Sequence, residues 1–441
     1  NTAALETLPH PAAPATPRPN IVLFILDTVR ADAMTCYGGT HDAMPELDQF
    51  AEQGMVFANV LSNSSWTRPS IGSFLTSKYP RTIGIYDEKD DLLDDRFTQL
   101  AEVLHAAGYT TLGYTANPNL NTTFNFQQGF DEYTDSDVIF DWMPKEPDNT
   151  SRGFRSLPSA HDLCAKALEA LDARAGQAGP FYLQFNFMEV HEWVVPSIKS
   201  YSMLREPYSR MYKKERFAQY WQSARQLSGD VAKFVEMLQT RPGWEDTLFV
   251  FVSDHGEGLG DHPSVFRSTW HGRVLYESNL DVVWFLYRPG WRPSTPRVEE
   301  QVCLLDVMPT VLDMVGVPVP SDVDGLSLKT LFDGEIVCMD LPQYIVAESE
   351  FKESNKIAVY GKEWKFIRSF TPHPGIAPLE VQRRGTGSNI ENGKLTNHYS
   401  KEPAVAQRLE KYLHEWQRNH PKTPASTVRG GLNAEMQERL E

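Results

Sequence analysis

The stretch Ile21–Asp27, with the sequence IVLFILD, decides the fold of this chain. Six consecutive apolar residues are typical of a strand that is buried on both faces, and here they end in a carboxylate. A second stretch, Leu248–His255 (LFVFVSDH), has the same form. Because ligands of open α/β sheets bind outside the carboxyl ends of the strands, the two stretches predict that Asp27, Asp254 and His255 meet at one point.

Between these strands, Ser65–Ser70 (SWTRPS) predicts a hydroxyl-rich turn followed by a buried helix. Thr67 in this turn is a candidate nucleophile and also a candidate N-cap of the helix. The two roles are compatible, because the N-terminus of a helix attracts anions. Carboxylates, an imidazole and a hydroxyl group at one point favour a metal-dependent hydrolase or transferase that acts on an oxyanion ester.

Strand and helix signals alternate over most of the chain, which is typical of a mostly parallel sheet flanked by helices. We therefore predict an α/β fold with a catalytic domain over residues 19–335, preceded by a Pro/Ala-rich tether over residues 1–18. Residues 336–441 are predicted to form a small C-terminal α+β subdomain. Its expected elements are a hairpin made of Lys356–Tyr360 and Trp364–Phe370, an extended loop over Gly375–Asn397 and a helix over Ala404–Trp416.

The chain has 441 residues, of which 41% are hydrophobic, and its formal net charge is −16. This composition is that of an ordinary globular protein, and the negative charge argues against a nucleic-acid partner. The sequence contains no run of about 20 apolar residues, the length that a membrane-spanning helix needs. The Pro/Ala-rich start without an initial Met leads us to expect an exported, periplasmic or cell-envelope protein with an N-terminal tether, although an expression boundary explains this start equally well.

Several short motifs occur in an order that resembles the sulfatase branch of the alkaline phosphatase superfamily. They are PNIVLFILD (19–27), TRPS (67–70), FLTSKYP (74–80), SDHGE (253–257), GDH (260–262), LYE (275–277), DVMPT (306–310) and DGLSL (324–328). Together they are specific, whereas any one of them alone is weak. The resemblance implies an alkaline-phosphatase-like fold and a divalent metal bound by Asp27, Asp254 and His255, with Thr67 completing the site.

The metal that such a site would bind is open among Mn²⁺, Zn²⁺, Mg²⁺ and Ca²⁺. Many relatives have a second Asp directly after the first, where this chain has Thr28. We therefore expect one ion of Mn²⁺ or Zn²⁺, with Mg²⁺ and Ca²⁺ as the alternatives. His262 leaves open whether a second metal binds nearby or whether this residue only supports the first site.

Sulfatases have a Cys or Ser at the position of Thr67, and that residue is oxidised to formylglycine. A Thr cannot form this aldehyde, because its β-carbon bears a methyl group, so we expect no formylglycine. Thr67 resembles instead the nucleophilic Thr of phosphodiesterases and of phosphoglycerol and phosphoethanolamine transferases. The expected reaction is hydrolysis or transfer of a phosphodiester or phosphonate monoester through a covalent Thr67 intermediate.

Five further residues are predicted to act on the substrate. By the resemblance, His191 and His271 stabilise charge or protonate the leaving group. Arg68, beside the nucleophile, and Lys78 are predicted to bind the anion, unless they are surface charges. Asn117 is predicted to bind substrate, although Asn-Pro also fits a simple turn.

The expected substrate is a small-molecule, lipid-linked or glycan-linked phosphate or sulfate ester. The sequence leaves two alternatives to phosphorus ester chemistry. One is a sulfuric ester hydrolase, because sulfate and phosphate esters are nearly isosteric. The other is a catalytically silent protein that keeps the anion-binding pocket.

Overall fold

The structure is a computed structural model that describes residues 18–86, 90–135, 158–191, 208–261, 270–333, 341–352, 354–372, 375–385, 390–391 and 394–428. Residues 1–17 of the predicted tether lie outside this description. His262 and the predicted domain boundary after residue 335 lie outside it as well, so that boundary stays a prediction.

The secondary structure alternates between strands and helices over the first 314 residues. The strands are β1 Asn20–Leu26, β2 Met55–Leu61, β3 Asp91–Leu92, β4 Thr110–Thr115, β5 Glu132–Thr134, β6 Phe181–Phe187, β7 Thr247–Val252, β8 Trp284–Tyr287, β9 Arg297–Cys303, β10 Ile345–Phe351, β11 Ser354–Tyr360, β12 Trp364–Ser369, β13 Leu379–Arg383, β14 Ile390–Glu391, β15 Lys394–Leu395 and β16 Ser426–Thr427. The α-helices are Pro45–Gln53, Thr67–Thr76, Pro80–Ile83, Leu100–Ala106, Ala160–Ala173, Tyr208–Gln239, Glu277–Leu280, Val307–Met314 and Pro403–Asn419. Within the described part of the chain, no helix combines the length and the apolar composition needed to cross a membrane.

The large sheet contains eight strands in the order β5-β4-β6-β1-β7-β8-β2-β9. Its neighbouring strands are parallel, except that β8 is antiparallel to both β7 and β2. This arrangement confirms the predicted mostly parallel sheet. Every residue of β1 is buried, since the strand lies inside the sheet and both of its faces are covered. Burial on both faces explains its uninterrupted apolar sequence.

Successive side chains of β1 point to opposite faces of the sheet, and each face has its own hydrophobic core. On one face, the ring of Phe24 stacks on the rings of Phe185 and Phe251, with centroid distances of 5.6 and 5.0 Å. The helices that pack on this face are Pro45–Gln53, Ala160–Ala173 and Tyr208–Gln239. Those on the opposite face are Thr67–Thr76, Leu100–Ala106 and Val307–Met314.

The C-terminal part forms a four-stranded antiparallel sheet in the order β10-β11-β12-β13. The predicted hairpin is confirmed as β11 and β12, and the predicted helix as Pro403–Asn419. This helix packs on one face of the sheet through Leu409, Leu413 and Trp416. The other face packs against the catalytic part of the chain, where the buried Lys365 forms an ion pair with Glu277.

The prediction of an extended loop over Gly375–Asn397 is wrong, because this segment contains β13. The strand pairs with β12 at the edge of the small sheet. Its polar residues hide the strand pattern, since Glu380 and Gln382 are buried as deeply as Val381. Hydrogen bonds compensate part of this burial, because Glu380 Oε2 accepts from Gln382 Nε2 at 2.7 Å and from the hydroxyl of Tyr276 at 3.3 Å.

Candidate active site

The candidate site lies at the carboxyl edge of four neighbouring parallel strands, β4, β6, β1 and β7. Asp27 directly follows β1, and Asp254 and His255 follow the adjacent β7. Asn117 follows β4, and His191 lies four residues after the end of β6. The register of the parallel strands brings these ends together, as the sequence predicted.

Asp27, Asp254 and His255 form a compact, fully buried cluster. One ligand atom from each lies within 4.8 Å of the others. Within the described residues, Asp27 Oδ1 and Asp254 Oδ2 have no hydrogen-bond partner. Burying a carboxylate oxygen without a partner lowers the free energy of unfolding by roughly several kcal/mol, unless a cation compensates its charge. Two such oxygens beside an imidazole therefore fit a divalent metal ion.

The second oxygen of each carboxylate is held by the protein. Asp27 Oδ2 accepts hydrogen bonds from Asn117 Nδ2 at 2.6 Å and from Asn186 Nδ2 at 3.4 Å. Asp254 Oδ1 accepts from the backbone N–H groups of Thr28 at 3.2 Å and His255 at 2.8 Å. Asn117, predicted to bind substrate, thus contacts a candidate metal ligand and orients it.

Thr28 has a left-handed backbone conformation with φ of +58°. This conformation is strained for a β-branched residue and typically costs about 1–3 kcal/mol. It aims the Thr28 N–H at Asp254, while the Thr28 hydroxyl donates to the carbonyl of Asp27 at 2.7 Å. Thr28 thus links the two aspartates through its backbone and adds no carboxylate to the site.

Thr67 is the first residue of the Thr67–Thr76 helix, and Trp66 is the N-cap. The prediction of Thr67 as N-cap is therefore wrong by one residue, because the extended conformation of Trp66 brings the chain into the helix. Thr67 Oγ1 lies 3.2 Å from His255 Nε2, directly beside the acidic cluster. The helix is tied to the end of β7 because Ser70 Oγ donates to the carbonyl of Asp254 at 2.7 Å.

His255 is held as a neutral imidazole. Burial, together with the charge of His271, lowers its pKa to about 3. Its Nδ1–H donates to the carbonyl of Gly256 at 3.0 Å, which leaves the lone pair of Nε2 directed at Thr67 and the aspartates. Burial raises the pKa of Asp254 to about 6, and burial plus the charge of Asp254 raises the pKa of Asp27. A divalent cation would offset both carboxylate shifts.

A second group of side chains lies beside His255. The ring of His271 is 4.6 Å from the ring of His255 and 5.0 Å from that of His191. The structure thus brings both predicted histidines to the site. His271 Nδ1 lies 3.2 Å from Oε2 of Glu257, which is completely buried. Burial alone would raise the pKa of Glu257, but the charge of His271, the hydrogen bonds from His271 and from the Gly258 N–H, and the charge of His191 together lower that pKa.

A family model described as Sulfatase matches residues 19–317. The chain belongs to the sulfatase family. It is similar to an arylsulfatase of Clostridium perfringens, with 24% identity over 79% of this chain and 85% of the relative. It is also similar to a Delta 4,5-hexuronate-2-O-sulfatase of Bacteroides thetaiotaomicron, with 21% identity over 76% of each protein.

Among solved structures, a phosphonate monoester hydrolase from Silicibacter pomeroyi has the same fold. The TM-score is 0.71 with 18% sequence identity, and the match covers 92% of this chain and 96% of the hydrolase. As a sulfatase-family member, the protein is a hydrolytic enzyme of sulfate or phosphate esters. Members of this family bind a divalent metal, and the Asp27–Asp254–His255 cluster is the candidate site for it here.

Two residues predicted to bind substrate do not face the candidate site of this sulfatase-family protein. Arg68 is fully buried, and its guanidinium donates to the carbonyl of Asp91 and to Asn119 Oδ1, each at 2.9 Å. The reason is helix geometry, since one residue step turns the side chain by about 100° away from Thr67. The guanidinium carbon also lies 3.6 Å from the ring centroid of Phe124.

Lys78 follows the opposite end of the helix that starts at Thr67. A ten-residue helix is about 15 Å long, which separates Lys78 from the nucleophile. Its Nζ lies 3.1 Å from Asp322 Oδ2, and it also donates to the Asp322 carbonyl. The structure therefore pairs the largely buried Lys78 with the exposed Asp322 and does not bring it to the metal cluster.

Asn186 and Glu257 were not predicted from the sequence. Asn186 lies one residue before the end of β6, where a polar residue in the apolar run Phe181–Phe187 marks the same sheet edge as Asp27. Glu257 occurs in the SDHGE motif that also contains two candidate metal ligands, yet it was given no role. The signal in each case was a polar residue within or beside a buried strand end, and both residues are buried here.

Proposed function

We propose that this sulfatase-family protein cleaves or transfers a phosphorus ester, a phosphodiester or phosphonate monoester, by covalent catalysis through Thr67. The observation that carries the proposal is the position of Thr67 Oγ1, 3.2 Å from His255 Nε2 and beside two buried carboxylate oxygens without described partners. A hydroxyl at this position suits nucleophilic attack. Because the residue is Thr, the proposal includes no formylglycine.

Asp27, Asp254 and His255 would hold one divalent cation, with the Thr67 hydroxyl as a further ligand. When bound, such a cation lowers the pKa of a hydroxyl and neutralises charge on the ester. We expect Mn²⁺ or Zn²⁺ because the cluster combines one imidazole with only two carboxylates. A site for Ca²⁺ or Mg²⁺ more commonly consists of oxygen ligands alone.

The residues of the chain have separate roles in the proposed reaction. Thr67 would react as its alkoxide, the form that a cation held by the cluster would stabilise, so its Oγ1 forms a bond to phosphorus while the bond between phosphorus and the leaving oxygen breaks. The leaving oxygen receives a proton from His271 or His191, whose rings are 5.0 Å apart beside the cluster. In the second half of the reaction, water or an alcohol attacks phosphorus and releases Thr67. The N-terminus of the Thr67–Thr76 helix favours the negative charge of the ester.

The second candidate function is hydrolysis of a sulfuric ester. The observation that favours it is the similarity to an arylsulfatase and to a hexuronate sulfatase. The same pocket would accept a sulfate ester, and the hexuronate sulfatase makes a glycan-linked substrate a reasonable choice for testing. Export to the cell envelope stays a prediction.

The experiment compares wild type, Thr67→Ala and Thr67→Ser on matched aryl phosphodiester, phosphonate, phosphate monoester and sulfate substrates. Each protein is stripped of metal and reconstituted with Mg²⁺, Ca²⁺, Mn²⁺ or Zn²⁺. We expect Thr67→Ala to abolish phosphodiester or phosphonate turnover, and Thr67→Ser to keep part of it because it retains the hydroxyl. Mass spectrometry of acid-quenched protein should find a phosphoryl group on the peptide that contains Thr67.

Three outcomes would change the proposal. Turnover that survives Thr67→Ala would exclude Thr67 as the nucleophile. A preference for sulfate that depends on Thr67 would establish the second candidate function. Tight metal and anion binding without turnover of any substrate would favour a silent binding protein.

A further inference from the structure

Glu257 is a buried acid that the candidate metal cluster does not use. It lies two residues after His255 in the loop that follows β7, and its side chain has no exposed surface. Its Oε1 accepts a hydrogen bond from the N–H of Gly258 at 3.0 Å. Its Oε2 lies 3.2 Å from Nδ1 of His271, a residue 14 positions further along the chain. An ionised carboxylate only accepts hydrogen bonds, so His271 Nδ1–H is the donor in this contact.

The backbone on either side of this contact is also fixed. Gly272, which follows His271, donates its N–H to the carbonyl of Ser65 at 2.7 Å, two residues before Thr67. The carbonyl of Gly272 accepts from Ser349 Oγ at 2.6 Å. Gly272 has φ of +82°, a conformation that a side chain would strain. These hydrogen bonds fix the backbone position next to His271, and the contact with Glu257 fixes the orientation of the His271 ring.

We propose that Glu257 is a positioning residue that turns His271 so that its Nε2–H faces the leaving oxygen of the ester. The inference rests on the proposed function of Thr67. With Nδ1 bound to Glu257, Nε2 lies on the far side of an imidazole ring placed 4.6 Å from His255 and 5.0 Å from His191. The same arrangement, a carboxylate that holds the imidazole in one tautomer and orientation, serves catalytic histidines in other hydrolases.

In the step that Glu257 supports, Thr67 would react as its alkoxide: Oγ1 bonds to phosphorus and the bond from phosphorus to the leaving oxygen breaks. The electron pair of that bond stays on the leaving oxygen, which takes the proton from His271 Nε2. His271 is then a neutral imidazole whose Nδ1–H remains bound to Glu257. In the second half, His271 Nε2 takes a proton from the water or alcohol that attacks phosphorus, the bond from phosphorus to Thr67 Oγ1 breaks with its electron pair on Oγ1, and the starting state is restored.

The test uses a series of aryl phosphodiesters or phosphonates whose leaving phenols differ in acidity. A good leaving group departs without a proton, whereas a poor one needs it, so only a protonation defect depends on the leaving group. Glu257→Gln keeps the size of the side chain and removes its charge. The matched control is Asp261→Asn, in the same loop, whose exposed carboxylate contacts Arg30 at 2.7 Å.

We expect Glu257→Gln to slow the poorest leaving group by about 100-fold and the best one by less than about threefold. Asp261→Asn should keep the wild-type dependence of the rate on the acidity of the leaving phenol. The double variant Glu257→Gln/His271→Ala should be no slower than His271→Ala, because both changes remove one function. Bound metal, measured by elemental analysis, should stay at the wild-type level in Glu257→Gln.

An equal loss for all leaving groups, or additive losses in the double variant, would overturn the proposal and leave Glu257 a purely structural role. If Glu257→Gln does not fold, Glu257→Asp replaces it, since this variant keeps the charge and shortens its reach. A wild-type leaving-group dependence in folded Glu257→Asp together with unchanged rates would also contradict the proposal. Failure of the Thr67 mechanism is recognised separately, because turnover would then survive in Thr67→Ala whatever Glu257 does.

Discussion

At the scale of single residues, the two aspartates of the candidate site are only partly hydrogen-bonded. Asp27 and Asp254 each give one oxygen to protein donors and keep the other buried without a described partner. A protein that needed only structural carboxylates would pair both oxygens, because an unpaired one is costly. The strained φ of Thr28 serves the same arrangement, since it turns a backbone N–H onto Asp254. The fold thus positions the two carboxylates as candidate ligands of a bound cation.

The first prediction concerns Asp254 in metal-free protein. Burial raises its pKa from 3.8 to about 6, so the folded state binds this proton more tightly than the unfolded chain. The contribution of Asp254 to the free energy of unfolding is therefore largest below pH 3.8, and it is lost as the pH rises through about 6. Asp254→Asn removes that loss, because the amide carries no charge and keeps an acceptor for Thr28. With chelator at pH 8, the variant should be more stable than wild type by roughly 3 kcal/mol.

Urea unfolding of both proteins with chelator, from pH 8 to pH 4, measures this difference. The difference in the free energy of unfolding between Asp254→Asn and wild type should decrease steadily as the pH falls from 6 to 4. Added Mn²⁺ or Zn²⁺ should reverse the order at pH 8, because only wild type retains all proposed ligands. If the free energies of unfolding of the two proteins change in parallel across this range, the pKa of Asp254 is not raised in the folded state.

At the scale of elements, the hydroxyl of Ser70 connects the Thr67–Thr76 helix to the end of β7. Ser70 Oγ donates to the carbonyl of Asp254 at 2.7 Å and lies 3.0 Å from Ser62 Oγ. Ser73, one turn further along the same buried helix, has a hydroxyl without a partner among the described residues. We expect Ser70→Ala to lower the free energy of unfolding by about 1–2 kcal/mol, and Ser73→Ala to leave it unchanged or raise it slightly.

Denaturant unfolding of the two variants tests this difference, and metal affinity provides a second readout. Ser70→Ala should also weaken metal binding, because the carbonyl that its hydroxyl contacts belongs to a proposed ligand. Ser73→Ala should not. Equal losses of stability in both variants would mean that the helix is held by packing alone and that the Ser70 contact contributes little.

Elements buried on both faces could be predicted from sequence, and elements at sheet edges could not. β1 and β7 were recognised because each is an uninterrupted apolar run that is buried on both faces. β9 was missed, since it is the last strand of the large sheet and its sequence RVEEQVC includes exposed charges. β13 was missed for the related reason that its buried residues are polar.

The sequence predicted that Asp27, Asp254, His255 and Thr67 lie close together, because strand ends and one turn fix their backbone positions. The contacts of Arg68 and Lys78 could not be predicted, since they depend on which face of a helix packs on which neighbour. Asn117 shows the same limit. Its place at the end of β4 was predictable, but its contact with Asp27 depends on β1, which lies two strands away in the sheet.

At the scale of the whole molecule, the small C-terminal sheet reaches the candidate site through Phe351. Phe351, the last residue of β10, packs against Trp66, with ring centroids 5.4 Å apart. Its ring centroid is 6.4 Å from that of His271, and a β-carbon on Gly272 would lie 2.5 Å from Cδ1 of Phe351. Phe351 therefore contacts both the residue before Thr67 and the segment that carries His271.

The last prediction is that Phe351→Ala lowers kcat/KM by about 10- to 100-fold, because a displacement of about 1 Å at the reacting groups costs that much. The matched control is Phe370→Ala, whose ring comes from the same small sheet but is 50% exposed. This control should keep kcat/KM and change stability by less than about 0.5 kcal/mol. Activity is measured at saturating metal, and folding of each variant is checked by urea unfolding. A loss of stability in Phe351→Ala without loss of kcat/KM would mean that the small sheet only braces the catalytic sheet. A loss of both would show that it helps to form the pocket, since Phe351 connects it to Trp66 and His271 directly.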